Sequence, residues 1–156
     1  MGCEGVGAFQ FDSGSFSGMN ISGCKMAYAV APGDYIVFYV DAPNAAKHKA
    51  VDDLCKTAFK GWGKMTFRTG KIAIHGSNGG YSFDVDGGKV MSLKMSPTLG
   101  ADKKSAMTYS NINSAMHPTV MQGKVLSGMF SGEGKSFTLK DTNAYFNNRL
   151  NVNSKF

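Results

Sequence analysis

The apolar positions of this chain fall mostly in short runs of strand length, broken by glycine, proline, asparagine and serine. Val6 to Phe11 is the first such run, and Asp12 to Gly23 is a Ser/Gly-rich connection after it. Cys24 to Ala31 then alternates well enough for a second strand, and Pro32-Gly33-Asp34 turns into Tyr35-Ile36-Val37-Phe38-Tyr39-Val40. A continuous run of large apolar residues marks a strand covered on both faces. These two segments are expected to form a hairpin at the centre of a sheet. Lys64 to Thr69, Lys71 to His75, Tyr81 to Asp86 and Val90 to Met95 read as further strands. Asp86-Gly87-Gly88 is the strongest hairpin signal, because glycine supplies the positive φ of a tight turn. Ala106 to Ile112 and Thr119 to Leu126 are expected strands around a Met116-His117-Pro118 break. A glycine-punctuated segment, Gly123 to Gly134, leads to Ser136 to Leu139, and the Asn-rich tail from Lys140 to Phe156 has no clear period.

One segment departs from this pattern. Val51, Leu54, Cys55, Ala58 and Phe59 recur at helical spacing and predict an amphipathic helix over about 45 to 60. Asn44 or Asp41 stands ready to cap its start, and Gly61 and Gly63 end it. That apolar face is expected to pack on a sheet.

Composition supports the β reading. Among 156 residues there are 20 glycines, 11 phenylalanines and 6 tyrosines, which suit strands and tight turns better than a helical bundle. At 42% hydrophobic and 18% charged, the chain has material for a core. The expected fold is mostly β, with antiparallel sheets forming a sandwich or open barrel, in one domain spanning 1–156. The net charge of +6 is spread through Lys47, Lys56, Lys64, Arg68 and Lys103 without a dense block, so nucleic acid is not an expected partner. No apolar run approaches the roughly 18 residues of a membrane-spanning helix, which leaves peripheral membrane contact open. The N-terminus carries no secretory pattern, so the expected compartment is the cytoplasm unless a leader precedes Met1.

Candidate chemistry is sparse. Gly132-Glu133-Gly134-Lys135-Ser136 misses the glycine spacing of a phosphate loop and precedes a strand rather than a helix. Cys3, Cys24 and Cys55 form no Cys-x-x-Cys pair, and reduced thiols are expected. His48, His75 and His117 stand at no zinc-like spacing from one another or from a cysteine. No Gly-x-Ser-x-Gly elbow is present, and Asp52-Asp53 read as charges on a helix surface. Soft ligands nonetheless exist in the cysteines and ten methionines, so a copper or zinc site from Cys3, Cys24 or Cys55 with His117 and methionines is the alternative to no cofactor at all. Cys55 is its weakest member, since helix periodicity buries it.

Several segments are similar to a known family. The run Phe11-Asp12-Ser13-Gly14-Ser15-Phe16-Ser17-Gly18-Met19-Asn20-Ile21-Ser22-Gly23 comes first, followed by a strand ending Phe38-Tyr39-Val40-Asp41. A helix closing in Leu54-Cys55-Lys56-Thr57-Ala58-Phe59-Lys60-Gly61, the His117-Pro118 step and the tail Asp141-Thr142-Asn143-Ala144-Tyr145-Phe146 complete the set. Together they resemble the bacterial domain-of-unknown-function family 1326. Members of that family typically begin with a Cys-x-Cys-x-x-x-Cys-Pro-Cys stretch and often accompany a predicted metal-binding membrane protein, so the resemblance implies metal handling. This chain lacks the stretch, and only Cys3 matches a cysteine that follows it. The family offers no activity to carry over.

With no acid, base and nucleophile grouped in sequence, the expected function is a non-catalytic binding or accessory domain. It would be a subunit of a larger assembly, with a protein partner or a second copy engaged through Tyr145, Phe146 and Phe156 of the tail. Copper or zinc binding is the second reading. An enzyme of unrecognised type is the third, and it would gain ground if His75 or His117 lay in a pocket beside a carboxylate.

Overall fold

The computed structural model describes residues 3–77, 80–114, 117–148 and 150–153. In chain order the elements are β1 (Gly5–Gln10), a short hairpin of β2 (Ser15–Phe16) and β3 (Met19–Asn20), β4 (Lys25–Ala31), β5 (Tyr35–Asp41) and helix α1 (Ala45–Ala58). There follow β6 (Lys64–Thr69), β7 (Ile72–Ser77), β8 (Gly80–Val85), β9 (Met91–Pro97), β10 (Thr108–Tyr109), β11 (Val120–Gly132), β12 (Lys135–Leu139) and β13 (Asn143–Phe146). The protein is therefore mostly β with one amphipathic helix. At 14 residues that helix is too short to cross a membrane.

A small sheet of order β1-β4-β5-β6 lies between the helix and a larger sheet. The expected β4–β5 hairpin is at its centre, in register from Lys25↔Asp41 to Ala31↔Tyr35. Alternation then divides β5 between two cores. Tyr35, Val37 and Tyr39, with Ala27, Ala29 and Ala31 of β4, face the large sheet and meet Phe83, Val85, Met91, Leu93 and Phe130. Ile36, Phe38 and Val40, with Met26 and Val30, face Val51, Cys55 and Phe59 of the helix. Six consecutive residues of β5 are consequently buried, as its unbroken apolar run requires.

The helix begins where Asn44 Oδ1 accepts the Lys47 N–H at 2.9 Å, and it ends with the Phe59 N–H on the Cys55 carbonyl. Gly61, at φ 88°, turns the chain back. Because α1 returns the chain to the starting end of β5, β6 runs parallel to β5, within sheets whose other described strand pairs are antiparallel.

The large sheet has order β10-β11-β9-β8-β7, with β12 and β13 on the other side of β11. Here the structure differs from the sequence pattern. The strand expected over Thr119 to Leu126 continues through most of the glycine-punctuated segment, so β11 runs through Gly123 and Gly128 with one bulge between Val125 and Ser127. Both glycines answer close packing rather than a turn. A Cβ on Gly123 would stand 2.8 Å from the Ser96 carbonyl oxygen, and one on Gly128 would stand 2.9 Å from Leu93 Cδ1. The turn at Asp86-Gly87-Gly88 does join antiparallel strands, but as a wider loop with Val85 opposite Met91. The expected strand over Ala106 to Ile112 shrinks to β10, and the tail contributes β13.

Candidate functional site

The strands β5 and β6 end side by side, with Val40 opposite Thr69, and α1 starts after the three-residue link Ala42-Pro43-Asn44. The carboxyl ends of parallel strands next to a helix N-terminus are where open α/β sheets place ligands. A shallow hollow of about 430 Å³ opens there, lined by Ala42, Asn44, Ala45, His48, Lys49, Asp52 and Thr69. His48 and Asp52 are four residues apart on α1, so they share a helix face, and His48 Nδ1 lies 3.3 Å from Asp52 Oδ2. The other ring nitrogen, Nε2, lies 3.0 Å from Thr69 Oγ1.

The protonation pattern follows from these contacts. An ionised Asp52 beside Nδ1 favours the tautomer that keeps its proton on Nδ1, which leaves the Nε2 lone pair aimed at the Thr69 hydroxyl. Asp52 Oδ1 is buried without a hydrogen-bond partner among the described residues. Burial pushes the Asp52 carboxyl above the usual range, against the opposing pull of His48 and Lys56. The neighbouring Asp53 does behave as a surface charge, paired with Lys49 and Lys56. Asp52 does not, and this corrects the reading of the two aspartates as one surface feature. The spacing His48-x-x-x-Asp52 was the only trace of the site in the sequence, since Thr69 arrives from a different element.

The expected soft-metal residues are not brought together. In the β1–β4 ladder Gly5 pairs with Val30 and Gln10 with Lys25, so Cys3 and Cys24 flank opposite ends, roughly 25 Å apart along the strands. Cys24 is fully buried, and burial raises its thiol pKa, with Lys47 opposing. Cys55 is pushed up to about 12 by burial, with Asp52 adding to the effect. Thiolates, the metal-binding form, are disfavoured at both. His117 stacks on Phe9 with ring centroids 5.6 Å apart, and its Nδ1 lies 3.4 Å from Asn147 Nδ2. Among the described residues no three His, Cys, Asp or Glu side chains gather as a metal group.

The tail divides by register. β13 pairs with β11 through Gln122↔Tyr145 and Gly123↔Ala144, so Ala144 and Phe146 face inward and Tyr145 faces out. Phe146 is half-buried and packs on Tyr81 with centroids 4.6 Å apart, so its ring is turned mainly toward the core. Tyr145 is 56% exposed and meets the Tyr109 ring edge-on at 6.4 Å. Phe156 lies outside the described residues. Sequence reasoning missed Tyr109, whose hydroxyl donates to Gln122 Oε1 at 2.6 Å.

Comparison with protein-family models, with curated proteins and with solved structures finds no match for this chain, and the resemblance to family 1326 rests on its quoted segments alone.

Proposed function

We propose that this chain is a binding or accessory domain that works by surface contact, as a subunit of a larger protein assembly. The observation that carries this reading is the Tyr109–Tyr145 pair. Both rings are exposed, while the Tyr109–Gln122 hydrogen bond and the edge-on ring contact hold them in place. Rigid, exposed tyrosines give contact area at small entropic cost, as interface anchors do. Leu99, Met107 and Ile112 are also exposed on the arm spanning 98–112, which adds apolar surface at this end. Lys103 and Lys104 stand exposed on the turn of that arm. The partner that fits is a protein with an apolar centre bordered by carboxylates.

Native mass spectrometry on protein from its own source tests this. The expected spectrum shows a complex of fixed stoichiometry that is lost when Tyr109 and Tyr145 are both replaced by serine, with circular dichroism unchanged. A bare chain at native abundance overturns the reading. A mass increased by one copper or zinc ion, with no companion, supports the soft-metal alternative in its place.

A further inference from the structure

We propose that Thr69, His48 and Asp52 form an acyl-transfer site for small, unhindered carboxylic esters, with Thr69 Oγ1 as nucleophile, His48 as general base and Asp52 orienting the imidazole. This activity is independent of the docking surface proposed above and uses none of its residues. The geometry is that of an activated hydroxyl: nucleophile within hydrogen-bond reach of a base, and the base held by a third group. Thr69 Oγ1 is 3.0 Å from His48 Nε2, and His48 Nδ1 is 3.3 Å from Asp52 Oδ2.

Each member is placed for its part. Thr69 closes β6 and is exposed, so an ester carbonyl can reach its oxygen. His48 and Asp52 ride on a helix anchored by Val51 and Cys55, which are fully buried on the small sheet. Of the first four N–H groups of α1, that of Lys47 goes to Asn44 Oδ1 and that of His48 to the Asn44 carbonyl. Among the described residues those of Ala45 and Ala46 have no partner, and Ala45 lines the same hollow, which makes them the donors nearest to hand for a developing oxyanion. The unpartnered Asp52 Oδ1 adds a further reason. A carboxylate buried with incomplete pairing gains most when the imidazole beside it becomes cationic, and that is the charge formed during attack.

The step balances without any further reactant except water. Thr69 Oγ1 bonds to the acyl carbon, its proton moves to His48 Nε2, and the ester C–O bond breaks. The departing alcohol takes that proton. Water, deprotonated by the same nitrogen, then cleaves the acyl-threonine and restores the hydroxyl. The hollow is open and shallow, so it suits small acyl groups and activated leaving groups.

The test uses the purified chain and p-nitrophenyl acetate, followed by peptide mass mapping after a rapid quench. The expected result is p-nitrophenol release that falls roughly 10²-fold in both Thr69→Val and His48→Gln, with circular dichroism unchanged. One acetyl group is expected on the peptide containing Thr69, and Thr69→Ser should keep the activity. Parent-rate release in both variants, acetyl groups confined to lysines, or no release above buffer overturns the assignment.

Discussion

The centre of the small sheet and the outer end of the large sheet use the same kinds of side chain to opposite ends. In β5 every residue from Tyr35 to Val40 is buried, with strands on both edges, a helix on one face and a sheet on the other. On the arm 98–112 only two residues form a strand, one isolated bridge joins Leu99 to Ala106, and Leu99, Met107, Tyr109 and Ile112 stay exposed. What separates the two regions is coverage, not hydrophobicity. A segment covered on both faces contributes to stability, whereas one covered on a single face is left with apolar surface available for contact.

Substitutions can break that comparison at either end. The largest effect is expected for Phe38→Ala, which removes a ring packed against Phe59 and Phe67 at 5.2 and 5.1 Å. A loss of about 3–5 kcal/mol should appear in urea denaturation. Gly123→Ala comes next, at about 1–3 kcal/mol, because the added methyl meets a backbone oxygen rather than a flexible side chain. A cost below 0.5 kcal/mol there would show that β11 is loosely seated.

A smaller, pH-dependent effect is expected from His117. Burial holds its pKa below the ordinary histidine value, and the Asn147 amide N–H near Nδ1 favours the neutral ring. A group with a depressed folded pKa contributes stability above its unfolded pKa and loses it as pH falls through the folded value. Stability should therefore decline below about pH 6.5, and His117→Gln should flatten that slope in thermal melts across pH. Tyr145→Ser is expected to be the smallest perturbation, within about 0.5 kcal/mol of the parent, while weakening partner binding. A large loss of stability in that variant would move Tyr145 from the contact surface to the structural core.

Much of the architecture was legible because its signals are local. The continuous apolar run of β5, the helical spacing of Val51, Cys55 and Phe59, and the Asn44 cap each lie within a few residues of chain. The glycines of β11 were misleading for a matching reason. Glycine marks turns in most sequence contexts, but at Gly123 it answers a Ser96 carbonyl from a strand far away in the chain. The candidate sites fared worse. His48 and Asp52 were four residues apart and still read as unrelated, since nothing local shows that Asp52 is mostly buried.

The sequence by itself determined most of the strands up to β9, the one amphipathic helix and the central hairpin, because side-chain periodicity and capping act over one or two turns of chain. Only the tertiary structure decided that Thr69 meets His48, that Cys3 and Cys24 part to opposite ends of a ladder, and that Tyr145 faces out while Phe146 faces in. Those outcomes depend on register and on contacts between residues remote in sequence, where a shift of one position reverses which side chain is buried.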